Sequence, residues 1–227
     1  MKMLEAILFD LDGTLADTDS IHFAVWQDIL IRFDLDIDRA FYRQRISGRT
    51  NSKIIQDIIP QLSLEDAWKL ATEKEETYRR VANSLLPTPG LDKLIDLTER
   101  ASIKRAVVTN APEDNAVYML KVLRLSDTFP TVIMAKDAPP GKPDPAPYRL
   151  ALKRLQVKRK KTIAFEDSVA GVRSAVDAGI YTIGITSSNP ARDLLDAGAR
   201  MTIEDFNNPQ LWKLLNNKTK AISRLKN

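Results

Sequence analysis

Five short apolar runs rich in β-branched residues occur at 5–10, 103–109, 131–135, 162–166 and 181–185, and most are separated by stretches of helical periodicity such as 113–124, 145–155 and 168–178. Runs of this length that are apolar throughout, rather than alternating, suit strands covered on both faces. Their alternation with helices is the rhythm of βαβ units. The pattern predicts an α/β protein with a doubly wound, Rossmann-like parallel sheet between helical layers.

One interval breaks the rhythm. Residues 17–86 carry helical patterns and no convincing strand: Ile21, Val25, Ile29 and Phe33 recur every fourth residue, and Ser63-Leu64-Glu65-Asp66 reads as a capping box. A crossover of this length in a small α/β protein is an inserted helical lobe rather than a loop. "LLPTPG" (85–90) then returns the chain to the sheet. The expected organisation is a core of residues 1–16 and 87–227 with a helical cap at 17–86.

Composition narrows the chemistry. The chain has no cysteine and one histidine, His22, which excludes disulfides, thiolate catalysis, Cys/His zinc sites and multi-histidine metal sites. The 34 Lys+Arg against 30 Asp+Glu are dispersed, apart from "KRLQVKRKK" (153–161) and the C-terminal stretch. Solvated helix faces account for them better than a nucleic-acid surface does. No stretch approaches the ~20 apolar residues of a membrane span, and "MKMLEAILFD" lacks the apolar centre of a signal peptide. The expectation is a cytoplasmic monomer without nucleic-acid or membrane partners.

Three of the apolar runs end in residues that a buried strand does not want. Asp10 and Asp12 follow the first, Thr109-Asn110 the second and Glu166-Asp167 the fourth. Taken singly each has an ordinary explanation: a turn at Asp10-x-Asp12-Gly13, a helix cap at Asp167 or Ser168, a strand-to-helix connection at Thr109-Asn110. Together they point to one place, because the carboxyl ends of parallel strands form the ligand crevice of an open sheet. Two like charges ~4 Å apart repel by roughly 4 kcal/mol at an effective dielectric near 20. Four clustered carboxylates therefore require a counter-charge, and with oxygen ligands alone Mg2+ is the expected cation. Lys142, among the prolines of "PPGKPDPAPY", sits on the same face.

"FDLDGTLADT", "VVTNAP", "GKPDPAPY" and "FEDSVAGVRSAVDAG" resemble, in order, the four signature motifs of the haloacid dehalogenase-like hydrolases. The branch they resemble is that of the helical-cap phosphatases and β-phosphoglucomutases. The resemblance spans about residues 4–217, with "SGRTNSKII", "EKEETYR" and "GITSSNPARDLL" similar to sugar-phosphate phosphatases. It implies Asp10 as a nucleophile that becomes an aspartyl-phosphate, and Asp12 as the general acid and then base. Thr109, Asn110 and Lys142 would bind the phosphoryl group, and Asp10, the Asp12 carbonyl, Glu166 and Asp167 would organise Mg2+. In the cap it implies substrate contacts from His22, Gly48, Arg49, Asn51 and Lys74. These roles fit the physics: a carboxylate attacking a phosphate dianion needs its repulsion neutralised, and phosphoryl transfer is chiefly positioning and neutralisation.

The implied activity is hydrolysis of a small phosphorylated metabolite, a sugar or polyol monophosphate. "DTDSIHFAVW" and Lys74 also resemble the β-phosphoglucomutases, which keeps a mutase as the alternative. Thr14, where those mutases more often carry valine, and "VTNAP" favour the phosphatase. A non-hydrolytic phosphoacceptor module is the third reading, set back by the second aspartate and the large insertion.

Overall fold

Along the first strand, β1 (Ala6–Phe9), alternate side chains serve two different cores. The computed structural model describes residues 4–223. Beside β1 lie β2 (Lys104–Val108), β3 (Val132–Ile133), β4 (Thr162–Glu166), β5 (Tyr181–Ile185) and β6 (Met201–Ile203), in the order β3-β2-β1-β4-β5-β6. Every neighbouring pair is parallel. Ile7, Phe9, Val107, Ile163 and Phe165 pack on one face against α5 (Leu91–Arg100), α6 (Glu113–Val122) and α10 (Pro209–Ser223). Ala6, Leu8, Ala106 and Ala164 face α7 (Ala146–Leu155) and α8 (Val169–Asp177), while α9 (Ala191–Asp196) closes the edge through Leu194. This is the doubly wound sheet that the buried runs predict, with both strand faces removed from water.

Two details differ from expectation. The run at 131–135 pairs only over Val132–Ile133 and then tightens into a 3-10 turn at Ala135–Asp137. The sixth strand, β6, was not expected; its three residues lie at the edge, where Met201 and Thr202 are only half-buried, so no apolar run marks it.

Residues 19–81 form α1 (Asp19–Leu30), α2 (Arg39–Arg45), α3 (Asn51–Ile58) and α4 (Leu64–Val81). They share their own core of Val25, Trp26, Ile29, Ile54, Ile55 and Leu70. Ser63 caps α4 by accepting from the Asp66 amide at 3.1 Å, half of the expected capping box. The outgoing and returning chains are neighbours: Ala16 bridges Pro87, and Thr88 Oγ1 donates to the Thr14 carbonyl at 2.7 Å. No helix among the described residues is long and apolar enough to cross a membrane.

Candidate active site

β1 and β4 are adjacent at the centre of the sheet, where the chain winds first to one side and then to the other. Such a reversal opens a crevice at the carboxyl ends of its strands. Asp10 follows β1 directly, Glu166 ends β4, and Asp167 follows it. One carboxylate oxygen from each of these three buried residues lies within 4.8 Å of the others.

Lys142 reaches into this cluster from the proline-rich loop. Its Nζ is 2.5 Å from Asp10 Oδ1 and 2.5 Å from Glu166 Oε1, and the side chain is 2% exposed. Tyr148, from α7, donates to the same Glu166 oxygen at 2.5 Å. Glu166 thus joins the site by fixing the lysine. Burial and the neighbouring carboxylates, working against Lys142, push the Asp10 carboxyl up to about 8. Burial and then Asp10 and Glu166 drive Asp167 well above its ordinary value too. Three carboxylates around one ammonium form a site short of positive charge, with the hard oxygen donors that suit a divalent cation.

The loop between β1 and the helices is built around Gly13. Its φ is +73°, and a Cβ there would overlap the Asp167 carboxylate, so only glycine lets the backbone pass this close. Ser187, after β5, donates to the Gly13 carbonyl at 2.6 Å. Asp12 Oδ1 accepts from Thr18 Oγ1 at 2.9 Å and from His22 Nε2 at 2.9 Å. Burial pushes the Asp12 carboxyl up, but His22, with Thr18 and Lys74 behind it, outweighs this and holds it below its ordinary value.

Thr109 and Asn110 follow β2 as expected. Thr109 Oγ1 accepts from the Ala111 amide at 2.9 Å. The Asn110 side chain is spent on positioning: its Oδ1 accepts from the Lys142 amide at 3.0 Å, and its Nδ2 donates to the Lys142 and Gly48 carbonyls. Ser168, not Asp167, caps α8 by accepting from the Gly171 amide, which leaves Asp167 to the site.

Above the carboxylates lies a pocket of about 540 Å3. All the predicted site residues line it except Glu166, which meets the site through Lys142. Lys74 Nζ lies 2.9 Å from His22 Nδ1 and 3.0 Å from Glu75 Oε1. Asn51 donates to Glu75 Oε1 at 2.5 Å. Gly48 abuts Ser168 of the sheet domain. Arg49 is bound to Asp57 at 2.8 Å and to the Arg45 carbonyl at 2.6 Å. Thr18, Glu75, Arg79, Asn115 and Tyr148 were not singled out from sequence. Glu75 had a signal, its place beside Lys74, masked by the Glu- and Lys-rich helix around it.

Residues 7–185 match the family model described as "haloacid dehalogenase-like hydrolase". The chain is a member of the haloacid dehalogenase-like hydrolases. A phosphorylated carbohydrates phosphatase of Thermotoga maritima is 32% identical over 200 residues, covering 86% of this chain and 92% of that protein. A β-phosphoglucomutase of Bacillus subtilis is 26% identical, covering 82% and 85%. Among solved structures, a haloacid dehalogenase-like hydrolase of family IA, variant 3, from Entamoeba histolytica matches with a TM-score of 0.83 at 29% identity, covering 94% of this chain and 100% of that one. The matched span includes the strand ends that carry Asp10, Thr109 and Asp167.

Proposed function

We propose that the chain is a Mg2+-dependent phosphatase of small sugar or polyol phosphate monoesters, working through an aspartyl-phosphate on Asp10. The observation that carries this reading is the meeting of Asp10, Lys142 and Asp167 at the end of β1, with Asp12 two residues on and held by Thr18 and His22. Asp10 attacks phosphorus, the bond from phosphorus to the alcohol oxygen breaks, and Asp12 delivers a proton to that oxygen. Asp12 then takes a proton from water as the water oxygen attacks phosphorus and the bond to Asp10 breaks, giving inorganic phosphate.

The lowered Asp12 carboxyl is ionised and so has a free site for the proton in the second step. For the first it must bind a proton, and the charge of an adjacent phosphoryl group favours that. Lys142 neutralises the nucleophile's surroundings and orients its oxygen. Asp10, Asp167 and the Asp12 carbonyl would hold Mg2+, with Glu166 behind them, and the ion supplies positive charge toward the phosphoryl oxygens when bound.

Residues 17–86 act in this reading as a cap, hinged at the Ala16–Pro87 pair, that sets substrate choice and excludes water. The distal pocket argues for monophosphates. Among the described lining residues there, Arg49 is engaged by Asp57, Lys136 by Glu113, Lys74 by His22 and Glu75, and Arg79 by Asn115. A second phosphate at Arg49, Lys136 or Lys74 would have to displace a carboxylate, whereas hydroxyl groups need only share these partners; at Arg79 the partner is a neutral amide.

The test is phosphate release from a panel of sugar, glycerol and other polyol phosphates, with and without Mg2+. Many turnovers to free phosphate support the phosphatase, as does loss of the phosphoenzyme in Asp10→Asn. Isomerisation of glucose 1-phosphate without phosphate release would establish a mutase instead, and a single trapped phosphate per chain a binding module.

A further inference from the structure

Glu75 is a carboxylate 6% exposed, on α4, and no step above uses it. Its two oxygens are claimed from different parts of the molecule. Oε1 accepts from Asn51 at 2.5 Å and from Lys74 at 3.0 Å, both in the helical insertion. Oε2 accepts from Asn115, which is buried on α6 against the sheet. Arg79 Nη1, one helical turn beyond Glu75, donates to the other end of the same Asn115 amide at 2.6 Å. A buried carboxylate gripped from both sides of an interface is strongly committed to that geometry.

The same lysine leads to the reaction. An ammonium only donates, so the 2.9 Å contact from Lys74 Nζ obliges His22 Nδ1 to accept. His22 therefore carries its proton on Nε2 and donates it to Asp12. Tyr78 stacks on the imidazole at 4.1 Å between ring centroids and fixes its plane. The path from Asn115 through Glu75, Lys74 and His22 to Asp12 is continuous, and its first link joins α6 to α4.

We propose that Glu75 is a positioning residue: tied to Asn115 across the interface, it anchors Lys74 and so fixes the His22 tautomer that orients Asp12. The inference rests on the hydrolytic reading for its effect on rate, and on geometry alone for its effect on His22. Glu75 supplies the counter-charge and anchor for buried Lys74. Without that carboxylate the imidazole loses its fixed donor, and Asp12 the partner that aims it at the leaving oxygen.

Glu75→Gln keeps the shape and removes the charge; Asn115→Ala keeps the charge and removes the α6 contacts of Glu75 and Arg79. The leaving group separates a role through Asp12 from a merely structural one, because p-nitrophenolate departs without protonation and a sugar alkoxide does not. The expected result is a tenfold or greater loss of kcat/KM on a sugar phosphate, with p-nitrophenyl phosphate changed less than twofold, in Glu75→Gln and more weakly in Asn115→Ala. Equal losses on both substrates, or none, would overturn the proposal. A second readout needs no turnover: His22 is the single histidine of the chain, so its ring 15N shifts report one tautomer. The parent should show the Nε2–H form and both variants a mixture. An unchanged tautomer in folded variants refutes the proposal, whereas a changed one in a protein that hydrolyses nothing would refute the phosphatase reading alone.

Discussion

Lys142 Nζ lies 2.5 Å from Asp10 Oδ1, and the chain separates these two residues by 132 positions. The contact is buried, and Glu166 shares the same ammonium. Breaking a buried pair leaves an uncompensated charge, at a cost of about 3–5 kcal/mol. Lys142→Met strands two carboxylates at once. It is expected to lower the urea midpoint by a corresponding amount and to cut kcat by roughly 100- to 1,000-fold. Unchanged stability would mean that Asp10 and Glu166 are solvated in solution.

The metal prediction follows from the same shortage of positive charge. EDTA should abolish phosphate release, and added Mg2+ should restore it. A ligand that binds only the folded state at 100 times its Kd stabilises by about 2.7 kcal/mol. The melting temperature should therefore rise with Mg2+ in the parent and stay flat in Asp167→Ala, as followed by calorimetry. A Mg2+-dependent rise that persisted in the variant would place the ion elsewhere.

Gly13→Ala meets both a positive φ and the Asp167 carboxylate. Backbone strain of this kind costs about 1–3 kcal/mol, and the added methyl overlaps the Asp167 carboxylate and the Ser188 hydroxyl, so both must shift. The variant should fold with reduced stability and lose its thermal response to Mg2+. Retention of that response would show that the turn adapts elsewhere.

Acid stability gives a prediction with a definite sign. Burial pushes the Glu75 carboxyl up, but the Lys74 ammonium and the Asn51 amide outweigh it and hold it below the ordinary value of 4.5. A group with a depressed folded value stabilises the fold above its unfolded value and loses that contribution as pH falls through the folded one. Glu75→Gln should melt below the parent at neutral pH, and the gap should shrink once pH falls below about 4. A gap independent of pH would assign the loss to packing.

The sheet was legible because its strands are buried on both faces and so appear as unbroken apolar runs. The edge strand at Met201–Ile203 is only partly buried, and no apolar run marks it. The residues at strand ends were legible for the converse reason: Asp10, Asp12 and Asp167 are polar where the pattern demands apolar. Glu75, Asn115 and Tyr148 gave no such contrast. Each sits in a helix that tolerates its residue type, and its meaning comes from a partner that only the tertiary fold supplies: Glu75 for Asn115, Glu166 for Tyr148. Asn110 is expected at the phosphoryl group; it lines the pocket, and its side chain organises the loop that carries Lys142, a role that only the tertiary fold supplies.

The pairing of Ala16 with Pro87 has a consequence for how such a chain changes over generations. Because the polypeptide leaves the sheet and re-enters it at adjacent points, the four intervening helices are joined to the strands by neighbouring ends and by side-chain contacts such as Asn110 with Gly48 and Asn115 with Glu75. Segments with neighbouring ends tolerate replacement and insertion. Remodelling of the helices is expected to leave strand register, and with it the spacing of Asp10, Lys142 and Asp167, in place, provided the His22 and Lys74 contacts that hold Asp12 are kept.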